Sequence, residues 1–313
     1  MVNPSALRFA TWFSAALVAG CVALVAAETP PERDASDLLF LDNGRVRIGV
    51  KRSSGAGIAW LSESGSTRNV INHWDRGRLI QQSYYGAEDG SMWNTTPWRW
   101  NPVQGGDWRG KPATVLELRS TRTSLYAKSR ARHWATGAEM DDVTFEEWIR
   151  LKDRLVTVHF RMTYTGSQSH PAIDHEIPAL FFSPEFDTLV VYDGGAPWTH
   201  GMLSRSKPGW PNESRAMAEN WAAYVDATGF GAGAYVSQAT RLTCYRYGDG
   251  REDHGSCSYF APLTRFAITP GSGFDYEAVL TLGTVDAIRA RFESVHREAR
   301  RSVPPKPPKP VSP

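Results

Sequence analysis

From Val143 to Tyr164 apolar and polar side chains alternate in two runs joined at Lys152-Asp153, the signature of a β-hairpin. In the second run Val156, Val158, Phe160, Met162 and Tyr164 share one face, while Thr157, His159, Arg161 and Thr163 share the other. Val46, Ile48 and Val50 repeat the pattern near the start, and further β signal lies in Ala113 to Lys128, Thr188 to Tyr192, Phe230 to Val236 and Tyr276 to Leu282. Gly and Pro punctuate the joins. The chain therefore reads as all-β, a large antiparallel β-sandwich.

One stretch departs from this. Val285, Ile288, Phe292, Val295 and Ala299 recur at three- and four-residue steps, which predicts a C-terminal helix over 285–301 with Thr284 as its cap. The segment from Arg215 to Asp226 is Ala-rich like a helix but runs into a Thr228-Gly229 turn; strand is expected from Asn220 onward.

The two ends do not read as fold. Residues 1–27 carry one charge, Arg8, then a weakly polar-to-apolar run that closes on Val25-Ala26-Ala27 before Glu28-Thr29-Pro30-Pro31. A cleaved secretion signal is the expectation, and it places the protein outside the cytoplasm, secreted or periplasmic. Two alternatives stay open. The run could be a retained anchor, because about 20 apolar residues span a bilayer. Val18-Ala19-Gly20-Cys21 also resembles a lipobox, which would make the chain a lipoprotein. Residues 302–313, SVPPKPPKPVSP, form a proline-rich tail expected to be extended and solvated. One domain is expected between the ends, over 28–301.

Charge narrows the partners. Without Arg8, Lys306 and Lys309, the 35 basic residues fall to 32 against 33 acidic ones. A near-neutral domain has no general field for a phosphate backbone, so nucleic acid is not an expected partner. If Cys21 leaves with the signal, Cys244 and Cys257 remain, and in an oxidising compartment they would close a short disulfide loop or stay as two thiols.

The region from Asn72 to Trp108 is the most unusual. It holds five of the 12 tryptophans (Trp74, Trp93, Trp98, Trp100 and Trp108) with Tyr84, Tyr85, Gln81, Gln82, Asn94, Asn101, Gln104, Asp75, Arg76, Arg78 and Asp107. Strand periodicity is absent from Ser91 to Gly110, so much of this is expected to be loop. Indole faces stack on the C–H faces of sugars, and amides, carboxylates and guanidinium groups pair with sugar hydroxyls. The alternative is that these rings pin long loops onto the sandwich. Asp193 to Trp198 and Glu219-Asn220-Trp221 offer further ring walls in Trp198 and Trp221.

Carboxylates supply the chemistry. In a strand over His170-Pro171-Ala172-Ile173-Asp174-His175-Glu176-Ile177-Pro178, Asp174 and Glu176 share one face and His175 the other. Glycoside cleavage needs two acids about 5–10 Å apart. Glu176 or Asp174, facing Asp107 or Glu219, is the expected pair; His175 is a candidate acid or base. Neighbours two apart on a strand are also often a simple solvated pair. His170, Asp174 and His175 are the nearest approach to a metal set, but no metal or cofactor is expected. Phosphate-cradling glycine loops, a nucleophile-elbow serine and a paired-histidine zinc motif are missing. Asn94-Thr95-Thr96 and Asn212-Glu213-Ser214 are glycosylation sequons by rule.

Gly55-Ala56-Gly57-Ile58-Ala59-Trp60-Leu61, then Asn69-Val70-Ile71-Asn72 and Asp75-Arg76-Gly77-Arg78, resemble the opening of galactose-mutarotase-like supersandwich domains. Glu146-Glu147-Trp148 and His175-Glu176-Ile177-Pro178-Ala179 are similar to their middle strands, and the resemblance extends over most of residues 38–283. It implies two stacked antiparallel sheets with a sugar site on one concave face, in a group of aldose epimerases, polysaccharide lyases and non-catalytic domains of glycoside hydrolases. The epimerase histidine-plus-glutamate pair has no motif match, since His175 adjoins Glu176.

The leading expectation is an exported enzyme that hydrolyses glycosidic bonds. Asp75, Arg78, Gln82, Tyr84, Tyr85, Trp93, Trp100, Gln104, Trp108, Trp198 and Trp221 would hold the sugar. A lyase with a Tyr or His base and Arg78 on a uronate, a non-catalytic binder, and an aldose epimerase are the alternatives.

Overall fold

The computed structural model describes residues 35–301. The signal or lipobox reading and the proline-rich tail lie outside the described residues. Twenty strands and one α-helix follow one another among the described residues, and every strand pairing is antiparallel.

Fifteen strands belong to one sheet. Its path starts at Ser204–Ser206 and passes Thr188–Val191, Trp221–Val225, Phe230–Tyr235, Gly273–Thr284, Leu155–Tyr164, Glu139–Lys152 and Ser124–His133. It continues through Pro102–Val103, Gln81–Ser83, His170–Phe182, Cys257–Ile268 and Arg241–Tyr247 to Glu213–Ala216, and Thr114–Ser120 branches off Ser124–His133. A twisted sheet of this length curls instead of staying open. Its distant parts accordingly close on one core: the Tyr84 ring lies 5.8 Å from Phe145 and 6.4 Å from Phe274. Leu38–Asp42, Val46–Lys51 and Ile58–Glu63 form a separate three-stranded sheet that adds Leu41, Val46, Ile48, Val50 and Leu61 to that core.

The expected hairpin is present. Val143 pairs with Tyr164 and Lys152 with Leu155, and Asp153 turns the chain at φ 52°. Phe145, Ile149, Val156, Val158, Phe160 and Met162 are buried, as their alternation requires. The helix spans Val285–Arg301, and the Thr284 hydroxyl accepts the Ala287 N–H at 3.4 Å. It lays Val285, Ile288 and Phe292 on Trp221, Tyr235 and Val190. Trp221–Val225 is strand, as favoured.

Two expectations are corrected. Glu88–Trp93 and Thr96–Arg99 form a β-hairpin where loop was expected. Its residues are exposed or half-buried on both faces, so no core imposes an alternation. Cys244 and Cys257 are not bridged; both thiols are free and buried. In the strand register Cys244 stands opposite Phe260 and Cys257 opposite Tyr247, so the two do not face each other.

Candidate functional site

Seven adjacent strands, from Ser124–His133 to Glu213–Ala216, carry a cleft of about 200 Å³ on one face of the sheet. Its residues step across that face in order. Trp134 follows the first strand, and Val103, then Gln81, Ser83 and Tyr85, then Glu176, Ala179 and Phe181 come next. Tyr259, Tyr245 and finally Trp210 and Asn212, just before the last strand, complete the row. Trp93 and Trp98 reach in from the hairpin.

The pleat decides which neighbours face the cleft. Gln81, Ser83 and Tyr85 line it, while the intervening Gln82 and Tyr84 point into the core. Tyr245 and Tyr259 alternate in the same way with the buried Cys244 and Phe260. Along His170–Phe182 the register shifts between Glu176 and Leu180. This bulge inserts one residue, so Glu176, Ala179 and Phe181 all face the cleft while Ile177, Leu180 and Phe182 stay in the core.

Glu176 sits midway across the row. The Tyr85 hydroxyl donates to its Oε1 at 2.8 Å. The buried Tyr259 hydroxyl also lines the cleft and is close enough to lower the carboxyl pKa, yet it closes no hydrogen bond of its own. Burial outweighs both hydroxyls and holds the Glu176 pKa above the usual carboxylate range. Burial likewise pushes Tyr85 and Tyr259 far above an ordinary phenol, with the Glu176 charge adding to it.

Rings form two groups around this carboxyl. Trp93 lies 4.9 Å from Trp98 and 6.1 Å from Trp134. The Trp98 indole N–H donates to Asn101 at 3.1 Å, and the Asn101 amide is anchored on the Tyr84 carbonyl at 2.7 Å. Gly77 admits Trp134: a Cβ there would lie 2.5 Å from the indole. In the second group Tyr245 lies 4.5 Å from Tyr259 and 4.9 Å from Trp210, and Phe181 lies 4.7 Å from Tyr259.

Of the residues singled out in the sequence for a sugar site, Gln81, Tyr85, Trp93, Trp98, Asn101 and Glu176 line the cleft. Asp75 and Arg78 flank its Gly77; Arg78 pairs with Asp75 at 3.3 Å and also donates to the Gly255 carbonyl. The structure does not bring the other carboxylates there. Asp174 is an ion-pair partner of Arg241, with Arg265 at 3.9 Å. Asp107 folds a turn by accepting the Arg109 and Lys111 N–H groups at 3.1 and 2.6 Å. Glu219 is fully buried and doubly bonded to Arg289 of the helix at 2.6 and 3.0 Å. Burial alone would raise its pKa; Arg289, the Trp221 indole and the Trp198 amide together hold it below the usual range.

His175 belongs to the core. It accepts the Tyr85 N–H at 3.2 Å, faces the Phe266 carbonyl at 3.0 Å and packs on the Phe266 ring, and burial drops its pKa to about 4. Gln82, Tyr84 and Gln104 are buried as well, with the Tyr84 hydroxyl on Gln82 at 3.0 Å and Gln104 on Glu147 at 3.1 Å. Trp100 stacks on His170 at 4.0 Å, Trp108 donates to the Ala135 carbonyl at 3.1 Å, Trp198 stacks on His296 at 4.5 Å, and Trp221 lies beneath the helix. Among the described residues no three His, Cys, Asp or Glu side chains converge on a metal position. Trp134, Trp210, Tyr245 and Tyr259 were not singled out from the sequence; the alternation of Tyr245 with Cys244 is the signal that could have found one of them.

The fold resembles that of solved galactose-mutarotase-like proteins. A putative aldose 1-epimerase from Escherichia coli K12 superposes with a TM-score of 0.53 at 13% identity, over 79% of this chain and 99% of that one. A galactose mutarotase related enzyme from Lactobacillus acidophilus gives 0.51 at 11%, over 79% and 97%. A galactose mutarotase-like protein from Lactobacillus casei gives 0.50 at 12%, over 79% and 100%. At these identities the likeness is one of fold. No family model matches the chain, and no curated protein matches it.

Proposed function

We propose that this protein binds a saccharide in the Glu176 cleft and that Glu176 moves a proton on the bound sugar at its anomeric centre. The observation that carries this is the carboxyl itself: half-buried, raised in pKa, held by Tyr85 and bordered by indole and phenol rings. A perturbed carboxyl in an aromatic cleft with a few aimed polar groups is the composition that sugar chemistry asks for. Ser83 and Asn212 supply uncharged partners for hydroxyls, while Gln81 and Asn101, whose amides are held by Gly77, Gly105, Trp98 and Tyr84, shape the floor.

One carboxylate suits ring opening. The carboxylate takes the proton of the anomeric hydroxyl, the ring oxygen gains a proton from solvent as its bond to the anomeric carbon breaks, and reclosure on the other face reverses both transfers. Hydrolysis by paired acids needs a second carboxylate about 5–10 Å away. Glu176 is the one acid among the lining residues. Lyase chemistry on a uronate needs a cation, and among the described residues no Lys or Arg lines the cleft. All three fold neighbours named above carry epimerase or mutarotase names, which supports this choice. The signal-like N-terminus supports action outside the cytoplasm; sequencing the mature N-terminus from cells tests that part.

The test is NMR exchange between α and β anomers of a panel of free sugars, run beside a reducing-end assay on polysaccharides. Accelerated anomer exchange without new reducing ends is expected. New reducing ends would replace the proposal with hydrolysis, and binding without either would leave a lectin-like protein.

A further inference from the structure

We infer that the cleft continues past Glu176 into a second sugar subsite built by Trp210, Tyr245 and Tyr247, so that the ligand is an oligosaccharide. This rests on the saccharide reading of the Glu176 cleft and specifies its substrate class.

Strand geometry sets the distance. Glu176 lies on His170–Phe182, and Tyr245 lies two strands further across the sheet, on Arg241–Tyr247. At about 4.8 Å per strand that is a displacement of roughly 10 Å. Tyr245 still lines the Glu176 cleft, whereas Tyr247, two residues further along the strand, lies outside that lining, where a second linked ring can reach it. Tyr245 and Tyr247 stand two apart on one strand and therefore share a face. Trp210 joins them edge-on, at 4.9 Å from Tyr245 and 5.6 Å from Tyr247.

Exposure makes this platform unusual. Trp210 is 57% and Tyr247 47% exposed, two of the five exposed large apolar side chains among the described residues. Rings left this open contribute little to the core, and neighbouring exposed rings are informative where a single one is not. Asn212 lines the same end of the cleft, and Arg78 approaches the Tyr247 ring at 5.7 Å while paired with Asp75. The platform thus offers flat apolar faces, an amide and a neutralised ion pair. That chemistry matches an uncharged sugar ring, and its continuity with the Glu176 row matches a ring linked to the one bound there.

The experiment compares the affinities of D-galactose, D-glucose and D-mannose with those of their linked trisaccharides by calorimetry, on wild type, Trp210→Ala, Trp210→Phe and Tyr247→Ala. At least one trisaccharide is expected to bind about tenfold more tightly than its monosaccharide, equivalent to ~1.4 kcal/mol. Trp210→Ala and Tyr247→Ala should narrow that gap, and Trp210→Phe should restore part of it. Monosaccharide binding with no gain from the trisaccharide, or a gain that survives both alanine variants, would overturn the second subsite and leave the Glu176 site standing. Absence of binding by every sugar would overturn both.

Discussion

The Tyr85 hydroxyl, two residues past the strand Gln81–Ser83, donates at 2.8 Å to the carboxylate of Glu176, which pairs with Ser83. The pair sits where the sheet is bulged, on the open face, in the middle of a row of rings. A hydrogen bond to the charged form favours ionisation, whereas burial opposes it, and burial wins at Glu176.

Removing the hydroxyl therefore has a signed effect. Tyr85→Phe takes away a contact that lowers the Glu176 pKa, so that pKa rises further. With the carboxylate as base, activity rises with pH through this ionisation, and the acidic limb of kcat/KM should move to higher pH. An unmoved limb would separate Glu176 from the proton transfer.

Glu147 gives a pH-dependent stability. It lies on the core face of Glu139–Lys152, and burial lifts its pKa from 4.5 to about 8 despite a hydrogen bond from Gln104. Between those values the folded protein holds a proton that the unfolded chain releases, so this group destabilises the fold increasingly as pH rises. The slope is up to about 1.4 kcal/mol per pH unit. Glu147→Gln should gain on wild type as pH rises through this window, measured as urea midpoints at several pH values. A constant difference would contradict the assignment.

Glu219 and Arg289 hold the helix to the sheet. Arg289→Met leaves the fully buried Glu219 without its cation and should cost about 3–5 kcal/mol in chemical denaturation. Replacing both residues by methionine should recover most of that loss. Saccharide affinity should not change in either variant, because neither residue lines the cleft.

The thiols should be silent in the native state. Cys244 and Cys257 are unbridged, and burial raises both to a pKa of about 11. Alkylation without reductant should label neither in the native protein and both after unfolding, read by peptide mass. A peptide pair linked through these residues would contradict the structure.

Much of the fold was legible where one face is buried. The Val143–Tyr164 hairpin, the strands around Phe230 and Tyr276, and the helix with its Thr284 cap each carry a period that a core enforces. The hairpin from Glu88 to Arg99 carries none, because both of its faces remain open. For the site, Glu176 and Tyr85 were readable as chemistry, but their setting was not. The bulge after Glu176 decides which residues share its face, and it leaves no local mark in the sequence. Tyr259, Tyr245 and Trp210 come from strands far along the chain, placed beside Glu176 only by the order of the sheet. Conversely Trp221, Tyr84 and Glu219 have site-like chemistry and are packing and ion-pair residues, as their burial makes plain.

Glu176→Gln tests the central claim most directly, since it keeps the shape of the side chain and removes its charge. Calorimetry and anomer-exchange NMR on the same preparation should show saccharide binding retained and exchange reduced by about 10²–10⁴-fold. Exchange at the wild-type rate in this variant would contradict the account.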